Sequence, residues 1–535
     1  MKRLTVRKDA YYDSVFLMLA ARGIKGMKGV REAVVAMATA MNVELLVELG
    51  FNKAELKALS PNDMAVAIEA DDEAALEAAT QEAFDALTRK KAAAAGAGLV
   101  KTGSMAAALK LDEDANVAII SVPGAYAARE ARKALTAGLH VMLFSDNVSL
   151  EDEIALKKLA LSKGLLMMGP DCGTAIINGK PLCFANVVRR GSVGIVAASG
   201  TGLQEVSCLI DRYGAGVSQA IGTGGRDLKN AAVGGMTSIL AIKALSADPA
   251  TTVLAVVAKP PAPDVAAKLI QALKDSGKPS VAHFLGMAPR PDEGNVAFAQ
   301  DLEEAALLAA RFAGGDPSPA SARANILDDS GNDRYNRPRP QAIQALASTE
   351  AASMAPGQRY LRGLYTGGTL ADEALFLAQR ALGGVYSNNH TDSAWLMADP
   401  KLSVGHAIVD LGDDVFTAGK PHPMIDPAAR AERIAQEGRD PQTAVILMDL
   451  VIGYGSHPDP AGACVQAIRE ARAAAEARGG YLPVIASVTG TAADPQGYAG
   501  QVAKLEAEGV IVMPSNYRAA LLAIEIIKHR SGGNR

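Results

Sequence analysis

Short, nearly unbroken apolar runs alternate along the chain with stretches whose apolar residues recur every three or four positions. The first pattern predicts strands and the second predicts helices. Near the start, "LTVRKD" predicts a strand, Tyr11 to about Arg22 a helix, "REAVVAMA" a strand, "MNVELLVELG" a helix and "DMAVAIEA" a strand. "EAALEAATQEAFDALTRK" follows, rich in strong helix formers. This order fits an α+β module of βαβ kind, ferredoxin-like in outline, over residues 1–92. "KKAAAAGAGLV", small and flexible, reads as a linker behind it.

From Ala115 the alternation becomes regular. "ANVAIISVPG", "LHVMLFSD" and "LLMMGPDCG" predict buried strands, and "AYAAREARKALTAG" and "LEDEIALKKLALSKG" predict the helices between them. Continuous apolar strands separated by helices indicate a parallel sheet covered on both faces. Residues 100–190 therefore read as a Rossmann-like domain, without the G-x-G-x-x-G dinucleotide fingerprint. The remainder repeats itself. "GSVGIVAASGTGLQE", "AIGTGGRDL", "TTVLAVVAKPPAPDVA" and "KPSVAHFLG" are answered in the same order by "RYLRGLYTGGTLADE", "AIVDLGDDVFTAGKP", "TAVILMDLVIGYGSHPDPA" and "YLPVIASVTG". Two divergent α/β domains of like topology are expected, at 191–315 and 358–530. A Pro-, Ser- and Asp-rich connector over 316–357 lies between them.

Composition narrows the function classes. The 535 residues exceed one hydrophobic core, which fits several domains. A net charge of −4 gives no electrostatic reason to expect nucleic acid or an anionic membrane as partner. Cys172, Cys183, Cys208 and Cys464 form neither a disulfide scaffold nor a C-x-x-C pair, which favours a reducing compartment. No apolar run approaches the ~20 residues of a membrane span. A cytoplasmic protein acting on a small molecule is the expectation.

The chemistry suggested by the residues lies in the two Gly-rich turns. A Ser/Thr-Gly turn between strand and helix aims several backbone N–H groups at one point, with the positive helix end behind them. Ser199, Gly200, Thr201 and Gly202 form one such candidate cradle, and Thr366, Gly367, Gly368 and Thr369 the other. Either turn alone is equally well an ordinary β–α connection. If the two domains pack face to face, both helix starts can converge on one phosphate-like anion.

"KGLLMMGPDCGTAIINGKP", "GSVGIVAASGTGLQE" and "IGTGGRDL" resemble the CoA-binding and first ligase domains of the succinyl-CoA synthetase α subunit. The second repeat is similar to the C-terminal domain of that enzyme's β subunit. "DSVFLMLA", "VMLFSDNVSLEDEI", "GLYTGGTLADEA", "DLGDDVFTAGKPHPMIDP" and "MDLVIGYGSHPDPA" further resemble the FdrA family from end to end. The resemblance implies an α/β fold: a Rossmann-like CoA-binding-type domain and two flavodoxin-like synthetase-type domains. It also implies a carbamoyltransferase subunit in allantoin and ureide breakdown, which would convert oxalurate and phosphate to oxamate and carbamoyl phosphate. Companion subunits, a carbamate kinase and an oligomeric assembly come with that reading. The alternatives are an acyl-CoA ligase or CoA-binding protein, and a scaffold subunit without catalysis. The synthetase's G-H-A-G-A histidine segment has no counterpart in "MAPRPDEGNVAFAQ", and no stretch of this sequence is left to form an ATP-grasp domain. Phosphate or an acyl phosphate bound directly then replaces a phosphohistidine relay.

Further candidates are Arg226, as a fork for a carboxylate or phosphate or as a structural ion pair, and Asp413 beside Asp410 and Asp414. His422, stiffened between two prolines at a pKa near neutrality, and His457 are candidate catalytic imidazoles. Gly224, Gly225, Gly453 and Gly455 extend the phosphate-binding set. Glu205 matches the acid that orients the synthetase histidine, while His283, inside a strand, reads as a packed or sheet-edge residue. No paired metal-ligand spacing occurs; Mg bridging a bound phosphate stays open.

Overall fold

The computed structural model describes every residue except 9, 11, 13, 62, 97–99, 101, 315–339, 418–419 and 533–535. The chain forms two compact units, one of Met1–Ala108 with Asp414–His422, the other of Leu109–Asp413 with Pro423–Arg535.

In the first unit, strands β1 (Lys2–Arg7), β2 (Val30–Met37) and β3 (Met64–Ala70) pair antiparallel in the order β1-β3-β2. Because side chains alternate across a strand, β3 feeds two cores. Met64, Val66 and Ile68 pack with Leu17, Ile24 and Leu76, and Ala65 and Ala67 pack with Leu46, Phe51 and Leu56. That double burial explains why "DMAVAIEA" reads as an unbroken apolar run. The expected linker is corrected in part: the helix Glu73–Gly96 runs on through "KKAAAAG", whose lysines and alanines are good helix formers. The rest of that linker lies largely outside the described residues.

The second unit begins with a small parallel sheet of β4 (Val117–Ile120), β5 (His140–Leu143) and β6 (Met167–Met168), in that order. The helices Gly124–Thr136 and Leu150–Ser162 connect its strands. Next come β7 (Thr174–Ile177), β8 (Lys180–Cys183), β9 (Arg190–Ala198), β10 (Val217–Gly222), β11 (Val253–Ala258), β12 (Ser280–Phe284) and β13 (Val296–Phe298). They form one sheet ordered β13-β12-β11-β9-β10-β7-β8, with β7 and β8 antiparallel at its edge. The last sheet takes β14 (Tyr360–Tyr365), β15 (Val385–Tyr386), β16 (His406–Asp410), β17 (Thr443–Val451), β18 (Val484–Thr489) and β19 (Ile511–Met513). Its order is β15-β16-β14-β17-β18-β19, all parallel.

The two large sheets carry one topology twice. Counted from β9, and from β14 with the two-residue edge strand β15 left out, five strands lie side by side as second, first, third, fourth and fifth, the flavodoxin-like order. The α/β architecture thus agrees with the duplicated pattern in the sequence. One apolar core runs through both copies, holding Val206, Leu209 and Ile210 together with Leu370, Ala374 and Ile524. The connector expected over 316–357 differs in its described part: Pro340–Ala352 is a helix that buries Ile343, Ala347 and Ala351. Residues 315–339 of that stretch lie outside the described residues. Among the described residues no helix is long and apolar enough to cross a membrane.

Candidate functional site

The first strand of each repeated copy, β9 and β14, ends at a Gly-rich turn. Strand β9 is buried from Val193 to Ala198, and the chain leaves it at Ser199 in an extended conformation. Ser199 Oγ accepts the Gly202 amide at 3.0 Å and caps the helix Gly200–Arg212. In the second copy, β14 leads through Thr366 and Gly367 into the helix Gly368–Leu382. Here the cap comes from another strand. Asp449, fully buried in β17, accepts the amides of Thr366 and Gly367, both at 2.8 Å, and the Thr366 hydroxyl. Arg430 Nη1 lies 3.2 Å from Asp449 Oδ1 and balances its charge. The second helix start therefore already holds one internal anion.

The two starts meet. Ser199 Oγ and Thr369 Oγ1 are 2.7 Å apart, and the Thr369 amide donates to Thr201 Oγ1 at 3.3 Å. A Cβ on Gly202 would stand 3.1 Å from Thr369 Cγ2, and one on Gly367 would stand 2.9 Å from Thr201 Cγ2. Glycine is what permits this approach. Among the described residues, the amides of Gly200, Thr201 and Gly368 donate to no protein acceptor. Gly200 is exposed, and Thr201 and Gly368 are partly so.

Charged groups from neighbouring strand ends complete the neighbourhood. Lys259 directly follows β11 and pairs with Asp372 Oδ2 at 2.5 Å. Burial works against its charge, but Asp372 beside it, with Asp410 and Asp171 farther off, holds its pKa above the usual lysine value. Asp410 ends β16; its carboxylate accepts the Gly412 amide at 2.8 Å and Asn389 Nδ2 at 3.0 Å. Burial pushes Asp410 up to about 7, opposed by the Gly412 amide and Lys259 and aided by Asp372 and Asp413. Residues Ser199 and Lys259 thus follow the first and third strands of their sheet. This is the switch point where open parallel sheets bind ligands.

Other expected residues lie elsewhere. Arg226 makes an ion pair with Glu153 at 2.7 Å and donates to the Val148 carbonyl, the structural pairing that the sequence left open beside a ligand fork. Gly224 adopts φ 83° against the Pro170 carbonyl, and Gly225 precedes the short helix Arg226–Lys229. Gly453 and Gly455, at φ 112° and 81°, make room for the Ala185 carbonyl and the Phe184 ring, a packing role in place of the expected cradle role. His457 Nδ1 accepts the Asp459 amide at 3.0 Å and so shapes the turn into the helix Pro460–Glu476. His422 belongs to the first unit, and burial pushes its imidazole down to about 4, which corrects the expectation of a group near neutrality. Asp413 remains close enough to act on Asp410. His283 is buried, with Nδ1 at the Ala299 carbonyl. Glu205 bonds Thr489 and the Asn516 amide across the two copies.

The sequence reading missed Lys259, Asp372 and Asp449. One signal was present: "TAVILMDLV" carries a lone acid inside an otherwise apolar strand, and such a group needs a partner.

Fold and turns together define a CoA-ligase-type α/β protein. A family described as CoA-ligase matches residues 364–526, and one described as the AllF heavy metal-associated domain matches residues 1–102. The chain belongs to the family of the Escherichia coli protein named "Uncharacterized protein YahF", with 44% identity over 526 residues, 98% of each chain. It is also 29% identical over 185 residues to the succinate–CoA ligase [ADP-forming] α subunit of Aquifex aeolicus, covering 33% of this chain and 58% of that one. An ATP citrate lyase structure from Methanothrix soehngenii, with citrate and coenzyme A, aligns at 14% identity over 81% of this chain and 85% of that one. Its TM-score of 0.31 is too low to carry an argument. These matches correct the carbamoyltransferase expectation: residues 364–526 match a CoA-ligase family, and a third of the chain aligns with a CoA ligase subunit. Residues 1–102, matched by the family described as heavy metal-associated, contain neither cysteine nor histidine. Among the described residues no group of three His, Cys, Asp or Glu is placed to hold a metal ion.

Proposed function

We propose that this chain is an acyl-CoA synthetase-type protein whose paired helix starts hold inorganic phosphate or the phosphoryl end of an acyl phosphate. The observation that carries the reading is the junction itself: helix starts from both copies in contact, with the Gly200, Thr201 and Gly368 amides unused beside Lys259. Donors fixed in advance cost no reorganisation when charge arrives, and a helix N-terminus adds its dipole. Membership among the FdrA proteins, a finer placement, rests on the long stretches quoted above.

In the reaction this suggests, a CoA thiolate attacks the acyl carbon of an acyl phosphate. The carbon–oxygen bond to phosphate breaks, the thioester forms, and phosphate departs into the helix starts with the charge it gains. The thiol proton ends on phosphate or solvent. In this scheme the amides stabilise the leaving phosphate, Lys259 offsets its charge, and no histidine has to carry the phosphoryl group. The assay is thioester formation from acetyl phosphate and CoA by the full chain. CoA-dependent thioester, inhibited competitively by inorganic phosphate, is expected. No thioester together with no effect of phosphate would reject the proposal.

A further inference from the structure

Thr174, the first residue of β7, is 2% exposed, yet its hydroxyl has no hydrogen-bond partner among the described residues. Uncommitted hydroxyls are few inside a fold, and an incoming group can reach one whose oxygen is not sealed from solvent. This one lies next to the first helix start: a Cβ on Gly200 would be 3.5 Å from Thr174 Oγ1. At the other helix start, a Cβ on Gly368 would be 2.7 Å from Asp410 Oδ2. One start therefore carries an unused donor and the other a carboxylate, each beside an uncommitted amide.

A carboxylate beside an anion cradle discriminates among anions. Sulfate has no proton to give near neutrality, so its oxygens would face those of Asp410 in like-charge repulsion. Phosphate, with a second pKa of about 6 to 7, can keep one proton and donate it to the carboxylate. Building repulsion against the competitor is a general route to specificity.

We propose that the helix-start site selects a protonatable oxyanion of the phosphate class, with Thr174 donating its hydroxyl to the anion and Asp410 accepting the hydrogen bond of the anion's own proton. This rests on the anion reading made above and adds what chooses the anion. The groups that act on Asp410 are Lys259, Asp372 and Asp413, with Asn389 and the Gly412 amide as its hydrogen-bond donors. Lys259 attracts the anion whether or not it carries a proton, so the choice between anions falls to the carboxylate.

The test is calorimetric titration of the full chain with inorganic phosphate and, separately, inorganic sulfate. The wild type should bind phosphate at least about tenfold more tightly than sulfate, since like charges placed together cost that much or more. Asp410→Asn keeps a side-chain oxygen for Gly412 and should narrow the gap to less than about threefold by gaining sulfate affinity. Thr174→Val should weaken phosphate about fivefold, as expected for one lost hydrogen bond. A second measurement needs no variant: wild-type selectivity should shrink between about pH 8 and about pH 5.5, as the protonated Asp410 becomes a donor to either anion. Equal wild-type affinity for both anions, or full selectivity retained by Asp410→Asn, overturns the inference and leaves the anion site standing. Binding of neither anion by the wild type overturns the anion site as well.

Discussion

Ser199 Oγ and Thr369 Oγ1 share one hydrogen bond of 2.7 Å, joining the first turn of a helix in one α/β copy to the first turn of its counterpart in the other. Two positive helix ends would repel if nothing lay between them. At the second turn the Asp449 carboxylate takes two of the amides, and at the first turn, among the described residues, the Gly200 and Thr201 amides are left free. The junction is therefore lopsided, with one internal anion and room for one external anion.

Asp449 should be a stability residue as much as a site residue. Asp449→Ala strands the Thr366 and Gly367 amides and leaves Arg430 buried without its carboxylate. A loss of roughly 3 kcal/mol or more is expected. Asp449→Asn keeps an acceptor and should lose less. Denaturant titration comparing the two variants checks the order; an alanine variant as stable as wild type would contradict the assignment.

A second buried network makes a similar prediction away from the helix starts. Lys157 is fully buried, 2.7 Å from Asp227 and 3.0 Å from Glu153, and also donates to the Thr223 carbonyl. These bonds fasten the helix Leu150–Ser162 to the loop after β10. Lys157→Met fills the space but leaves Asp227 buried without a cation and Glu153 with Arg226 alone, so a loss of about 3 kcal/mol or more is expected. Unchanged unfolding of the variant would show that the carboxylates find other partners.

The interface between the copies should make stability depend on pH. Glu373 accepts the Leu302 amide at 2.8 Å and Asn516 Nδ2 at 2.7 Å. Burial first, and Asp301 second, push it from 4.5 up to about 8 against those two bonds. Between these values the folded chain holds a proton that the unfolded chain has released, so raising the pH favours unfolding. The contribution of Glu373 is whole below 4.5 and is lost as pH climbs through about 8. Melting temperatures should fall across that window, and Glu373→Gln should flatten the fall. A variant with the same slope as wild type would place the titration elsewhere.

Much of this architecture could be read from the chain because its signals are local. Strand β3 and the large-sheet strands announce themselves as apolar runs buried on both faces, and the turns after β9 and β14 combine Gly with Ser or Thr at a strand end. The repeat was visible because both copies keep the same order of loops. What stayed hidden depends on contacts far apart in sequence. Lys259 and Asp372 come from different copies, and Asp449 caps a turn that begins at Thr366. His422 looked poised near neutrality from its flanking prolines, but burial, which no local pattern reports, lowers it to about 4. The carbamoyl-transfer reading came from family resemblance and not from the residues, and it failed where the CoA-ligase matches began. The turns, read from physical chemistry alone, did come together.

The most direct measurement is calorimetric binding of inorganic phosphate to the full chain, wild type against Gly200→Val. A Cβ at Gly200 meets no atom closer than 3.5 Å, so the variant can fold while its side chain covers the Gly200 and Thr201 amides. Wild-type binding should weaken at least about tenfold in the variant, a change of about 1.4 kcal/mol or more, with the melting temperature unchanged. Equal affinity in the two proteins, or no binding by the wild type, would contradict an anion held at the meeting of the two helices.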